Sequence, residues 1–180
     1  MDAILQLDQN ILLFIQEYIR HDWMDWFWKA VTHLGDGGVF WILLGIILLF
    51  SKKTRPAGVA ALLALLVGAL ITNVCLKNFV ARIRPYEVVE GLRLMIERQR
   101  DYSFPSGHTA ASFASVTALY LAGEKKMWKA ALVLAVLIAL SRLYLYVHYP
   151  TDIIGGVVFG SLSGYLGYKI VEWIQKKKIK

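Results

Sequence analysis

Charge is scarce in this chain of 180 residues: 18% are Asp, Glu, Lys or Arg, where a soluble domain carries about 25%. Apolar residues make up 57% without counting glycine, against about 45–50% with glycine included in an ordinary domain. Mean hydropathy is +0.51. These figures exclude a disordered chain, a basic nucleic-acid-binding domain and a soluble enzyme of usual make-up. Cysteine is nearly absent too. The single Cys75 cannot close an intrachain disulfide, and its apolar surroundings in sequence predict a packed membrane residue rather than a reactive thiol. No basic segment precedes the first apolar residues, so no cleaved signal peptide is expected. The chain also lacks internal repeats, low-complexity tracts, clusters of Asp and Glu, and any His pair at i, i+4. No metal and no cofactor are expected.

What the chain has is apolar length. At about 1.5 Å per residue it can supply at most about nine 30 Å spans, and loops reduce that to five or six. The expectation is an all-α, polytopic membrane helical bundle in one domain. Pro56–Leu76 runs 21 residues without a charge. Tyr102–Gly123 is apolar apart from His108, Met127–Val147 apart from Lys129 and Arg142, and Ile153–Tyr168 throughout. Gly38–Ser51 is a shorter fifth candidate ending at Lys52-Lys53. Residues 3–34 differ: Ile4, Leu7, Ile11, Ile15 and Tyr18 recur at helical spacing, and a Trp-rich second helix follows over about 23–34. Two amphipathic helices lying in the interface fit this pattern. A sixth span is the rival reading, at the expense of placing Glu17 to Asp25 near the bilayer centre. The divisions are therefore 1–34 interfacial, 35–174 membrane core, and 175–180 a basic tail.

The net charge of +7 is unevenly spread. Residues 1–37 hold six acids and two bases, whereas bases cluster at 51–55, 124–129 and 175–180. With five spans all three clusters fall on one face, which the positive-inside rule places in the cytoplasm. This reads as topology, not as a nucleic-acid surface.

The opposite face collects polar residues at span ends. Lys77 and Arg84 are seven residues apart, about two turns if helical, so their arms should close on one small anion before Pro85 ends the helix. Pro105-Ser106-Gly107-His108 opens a span, where a serine cap, a glycine and free N–H groups suit a phosphate. Ser141-Arg142, His148 and Asp152 complete the set. Each has a bland alternative. Lys77 and Arg84 can snorkel to headgroups, the Ser-Gly-His run can merely cap a helix, Arg142 can pair with Asp152 as structural glue, and a histidine near an interface is often passive. Convergence of three cations, two histidines, a carboxylate and a capping serine on one face argues for a phosphate-sized dianion. One imidazole can then attack phosphorus while the other protonates the leaving oxygen, and Asp152, four residues from His148, can fix its tautomer. The cations and N–H groups neutralise the phosphoryl oxygens without a metal.

Lys77-(six residues)-Arg84-Pro85, Pro105-Ser106-Gly107-His108 and Ser141-Arg142-(five residues)-His148-(three residues)-Asp152 resemble the three-part signature of the type 2 phosphatidic acid phosphatase family, shared with vanadium haloperoxidases and glucose-6-phosphatase. The resemblance runs from about 35 to 173. It implies that His148 is a nucleophile forming a phosphohistidine, His108 the acid toward the leaving group, and Asp152 the group orienting His148. It assigns Lys77, Arg84, Ser106, Gly107 and Arg142 to the phosphoryl oxygens, with no metal ion. Among the substrates of similar small bacterial members, undecaprenyl pyrophosphate is favoured by an extracytoplasmic site whose lipid tail stays in the membrane. Phosphatidylglycerol phosphate, phosphatidic acid and lipid A phosphates are the alternatives. A soluble haloperoxidase is disfavoured by the spans. A lipid-phosphate binder or transporter without catalysis leaves both histidines unexplained. Residues 86–104, including Glu87, Glu90, Arg93, Glu97, Arg98 and Asp101, are expected either to cap the site or to form a solvated loop.

Overall fold

The computed structural model describes residues 2–89 and 94–178. Helix α1 covers Asp2–Phe14 and widens into a π-type turn over Ile15–Ile19. The chain then breaks at Arg20, whose backbone is extended, before α2 (Asp22–His33). Gly37 and Gly38 take positive φ angles of 56° and 68° and separate α2 from α3 (Val39–Leu49). Helix α4 (Arg55–Ala69) opens with Pro56 in its first turn, where the missing N–H is harmless. It continues through a π-type stretch, Leu70–Leu76, into the short α5 (Lys77–Val80). After an irregular segment come α6 (Gly107–Leu121), α7 (Met127–Tyr144) and the 29-residue α8 (Pro150–Lys178).

Among the described residues, four helical runs are long and apolar enough to cross a membrane: 22–49, 55–87, 127–144 and 150–177. The first joins α2 to α3 across the glycine break. Alone, α3 has 11 residues, about 16 Å and half the hydrocarbon thickness, so the short span read from sequence needs α2 to reach across. Helix α6 has 15 residues and is the central element, packed on α4, α7 and α8. It starts at Gly107, five residues after the start expected from apolarity, because Tyr102–Ser106 is non-helical and Ser106 caps the helix.

Small residues let these helices approach closely. Ala60, Ala61, Ala64, Ala114 and Ala118 form a buried cluster between α4, α6 and α8. Gly160 of α8 lies so near α6 that a Cβ there would sit 2.4 Å from the Ala110 carbonyl oxygen. Such contacts replace the hydrophobic drive that lipid cannot supply. A larger cluster of Trp41, Leu48, Leu119 and Ile138 joins α3, α6 and α7, and the Trp41 indole donates 3.0 Å to Ser112 Oγ. Cys75 is exposed on the outer face of the α4–α5 run, not packed as its apolar neighbours suggested. At one end of the bundle Lys53, Lys125 and Lys126 line a common depression, so the first two basic clusters do share a face.

Candidate active site

The other end of the bundle carries the polar residues. Arg84, Ser106 and His148 lie on irregular backbone. Helix α5 stops at Val80 because Ala81 turns left-handed at φ 48°, and Arg84 is extended. Lys77 and Arg84 therefore do not share a helix, contrary to the two-turn spacing argument; Pro85 begins a short 3₁₀ turn and ends no helix. Their heads still converge. Lys77 Nζ pairs with Asp101, and Arg84 Nη2 lies 2.6 Å from the other oxygen of the same carboxylate. The small anion between the two cations is the protein's own Asp101.

A cavity of about 260 Å³ opens beside this pair, lined by Lys77, Arg84, Gly107, His108, Arg142 and His148 together with Asp101. Arg142 reaches it from the last turn of α7. Its Nη1 donates 2.6 Å to Thr32 Oγ1 of α2, while Nε and Nη2 are buried with no partner among the described residues. It does not pair with Asp152. Unpaired guanidinium nitrogens are costly to bury, and here they belong to a residue of the cavity wall. A Cβ on Gly107 would lie 3.2 Å from Asn73 Oδ1 and 3.6 Å from Lys77 Nζ.

His148 lies in the turn between α7 and α8 and is 1% exposed. Its Nδ1 is 3.3 Å from Asp152 Oδ2 and 3.4 Å from Ser103 Oγ. Its Nε2 is 3.3 Å from Arg84 Nη1. Because a guanidinium only donates, these partners assign the proton to Nδ1 and make Nε2 the acceptor, its lone pair facing Arg84 in the cavity wall. Burial, aided by the Arg84 and Arg142 charges and opposed by Asp152, pushes the imidazole down to about 3. The ring is thus a free base. Burial alone would raise the Asp101 carboxyl, yet the Lys77 and Arg84 charges overcome it and hold the group down at about 2.

His108 sits differently, in the first turn of α6 at the cavity rim, with its Nε2 2.9 Å from Asp36 Oδ1. His33 Nδ1 lies 2.7 Å from the other Asp36 oxygen. Gly35 is required beside it, since a Cβ there would be 2.5 Å from His108 Cδ2. A second, wider opening of about 710 Å³ shares His108 and Asp36 and is bordered by Leu94, Glu97 and Gln99. So the described part of 86–104 does border the cavities; Glu90 and Arg93 lie outside the described residues.

Ser106 and Asp152 do not line the cavity. Ser106 is fully buried, and its Oγ accepts from Thr109 N at 3.4 Å as the cap of α6. Its own N–H donates 3.0 Å to the Asp152 carbonyl, joining the starts of α6 and α8. Sequence reading also passed over Ser103, Arg82, Asp8 and Asp36. Arg82 stands two residues before Arg84, and Asp36 sits among Gly35, Gly37 and Gly38. A lone acid in a glycine turn was the available signal for the latter.

A membrane-spanning helical bundle with a cationic, histidine-bearing cavity at one end defines a class of phosphate-handling membrane proteins. Residues 57–176 match the family model described as the PAP2 superfamily. The chain is 33% identical over 139 residues to "Undecaprenyl-diphosphatase" of Sulfolobus acidocaldarius, covering 77% of this chain and 67% of that protein. It is 33% identical over 161 residues to "Phosphatidylglycerophosphatase B" of Bacillus subtilis, covering 82% and 75%. The crystal structure of Aquifex aeolicus LpxE superposes with a TM-score of 0.78 at 30% identity, over 91% of this chain and 95% of that one. The Bacillus subtilis transmembrane PAP2-type phosphatidylglycerolphosphate phosphatase gives 0.75 at 29%, over 98% and 88%. The chain belongs to the PAP2 superfamily, and is a membrane lipid phosphatase of that family.

Proposed function

We propose that this enzyme removes the terminal phosphate of undecaprenyl pyrophosphate through a phosphohistidine on His148, within a catalytic core of residues 35–174. The observation that carries the reading is one cavity wall holding Lys77, Arg84, Arg142, His108 and His148. In the first step the His148 Nε2 lone pair forms a bond to phosphorus while the bond to the bridging oxygen breaks. His108, protonated, gives its proton to that oxygen, and Asp36 beside it supports the imidazolium. Asp152 accepts the Nδ1–H of His148 and stabilises the positive charge that grows on the ring. Lys77, Arg84, Arg142 and the N–H groups at the start of α6, aligned by the Ser106 cap and left open by Gly107, neutralise the phosphoryl oxygens. In the second step water attacks phosphorus, His108 takes its proton, the P–N bond breaks, and inorganic phosphate leaves. Asp101 must yield its place between Lys77 and Arg84 whenever a phosphate arrives.

The basic clusters support a cytoplasmic C-terminus and an extracytoplasmic site in the cell membrane, the side on which a pyrophosphate-linked carrier is recycled. A second reading, a phosphomonoester headgroup such as that of phosphatidylglycerophosphate, phosphatidic acid or lipid A, is supported by the likeness to the Bacillus subtilis phosphatidylglycerolphosphate phosphatase. Phosphate release by the purified full chain, in EDTA, on undecaprenyl pyrophosphate, phosphatidylglycerophosphate, phosphatidic acid and lipid A separates them. Preference for the first is expected, with no loss in EDTA and none remaining in His148→Ala. Equal rates on all four lipids would demote the substrate; a strict metal requirement would overturn the metal-free chemistry.

A further inference from the structure

Arg82 carries no role in the reading above, yet it is among the most heavily bonded side chains of the site. Its Nη1 lies 2.7 Å from Asp152 Oδ1 and 2.7 Å from Thr151 Oγ1. Its Nη2 lies 2.7 Å from Asp8 Oδ2, and the guanidinium stacks 3.9 Å above the Tyr149 ring. The Arg82 carbonyl accepts from Ser103 N at 2.8 Å, which anchors the residue whose hydroxyl donates to Asp152 Oδ2. Asp8 is 1% exposed although it belongs to the N-terminal helix α1. It also accepts from Thr151 N at 3.0 Å and from the Thr151 hydroxyl.

We infer that Arg82 and Asp8 are a positioning pair for the His148–Asp152 couple, and that α1 is thereby part of the catalytic support rather than only a membrane-surface helix. The inference rests on the His148 reading above. Asp152 has two oxygens and they are used separately. Oδ2 takes Ser103, the Tyr149 N–H at 2.9 Å and His148 Nδ1. Oδ1 takes Arg82. A carboxylate bound on one side only can rotate; one held on both sides presents a fixed lone pair to the imidazole. The positive guanidinium also keeps Asp152 an acceptor when His148 gains charge. Asp8 neutralises the remaining face of Arg82, so that its partly buried charge is paired on two sides. Arg82 reaches this place because Ala81 turns the backbone left-handed, which re-aims the residue away from the α5 axis.

The test uses the full chain in detergent with para-nitrophenyl phosphate and phosphatidic acid as probes, reading kcat, KM, phosphoenzyme burst rate and Tm. Misplacing a catalytic group by about 1 Å costs on the order of 100-fold. Arg82→Gln is therefore expected to lower kcat and burst rate about 100-fold with KM within about threefold. Arg82→Lys keeps the charge but cannot span Asp8 and Asp152 together, and should recover about a tenth to a third of the wild-type rate. Asp8→Asn, which preserves shape and keeps the test alive should Arg82→Gln fail to fold, should lose about tenfold in kcat at unchanged KM. A wild-type kcat in both Arg82→Gln and Asp8→Asn beside an inactive His148→Ala sinks the positioning pair alone. Turnover retained in His148→Ala sinks the nucleophile reading itself. A kcat loss that tracks Tm across all three variants would make the pair a fold clamp and overturn the proposal.

Discussion

The two histidines of the cavity stand in unlike surroundings. His148 is 1% exposed and bracketed by Asp152, Ser103 and Arg84, whereas His108 stands at the rim with Asp36 as its hydrogen-bond partner and a wider opening beyond it. One side is fixed before any ligand arrives. The other is left accessible. In a displacement at phosphorus the attacking atom gains from being immobile and desolvated, while the leaving-group side must admit a headgroup and then release it. The contrast suggests a division between a rigid half, where small shifts are costly, and an open half, where chemistry tolerates substitution if the leaving group is good.

That division can be broken or sharpened. If His148 is the nucleophile we propose, His148→Ala should abolish turnover, by about 10⁴-fold or more, on lipid and para-nitrophenyl substrates alike. His108→Ala should cost about 10²–10⁴-fold on a lipid phosphate but much less on para-nitrophenyl phosphate, whose leaving group needs no proton. Equal losses on both substrates would dissolve the distinction. A smaller effect is expected for Asp101→Asn, which removes the internal anion from Lys77 and Arg84. Because Asp101 is half exposed, its pairs are worth about 1 kcal/mol at most, so vanadate or phosphate inhibition should tighten about fivefold or less. Unchanged inhibition would mean that the carboxylate does not compete.

A separate effect is expected on stability against pH. The native His148 ring resists protonation down to about 3, whereas the unfolded chain protonates it near 6.5. Between those values the unfolded state binds more protons, so stability present above about 6.5 is lost as pH falls toward 3. Asp101, held at about 2 against 3.8, adds a loss of the same sign at lower pH. Thermal melts of wild type and His148→Gln between pH 7 and pH 4 should converge as the pH drops; parallel curves would remove His148 from the account.

Much of the architecture was legible because membrane helices are written in uninterrupted apolar length, as Met127–Tyr144 and the α4 run show. The break at Gly37-Gly38 and the stop at Ala81 were not. Alanine is the strongest helix former by propensity, so nothing at Ala81 marks the left-handed turn that carries Arg82 and Arg84 to their contacts. That is why Lys77 and Arg84 were placed on one helix and yet met at the right spot: long arms forgive the backbone. Ser106 was recognisable as a cap from its place before an apolar run. Asp8 was not recognisable at all, since one acid among several in an amphipathic helix gives no sign that it is buried until α1 is seen against Thr151.

Helix α8 works as a ruler. From Asp152 to Lys176 it is continuous, about 36 Å at 1.5 Å per residue, against a hydrocarbon core of about 30 Å. With its lysines anchored in one headgroup layer, its first turn is carried to the depth of the opposite one, where lipid phosphates already reside. Hydrolysis then requires no extraction of the substrate from the bilayer. The rate should follow bilayer thickness, which sets the register between site and headgroup, more closely than the length of the lipid tail.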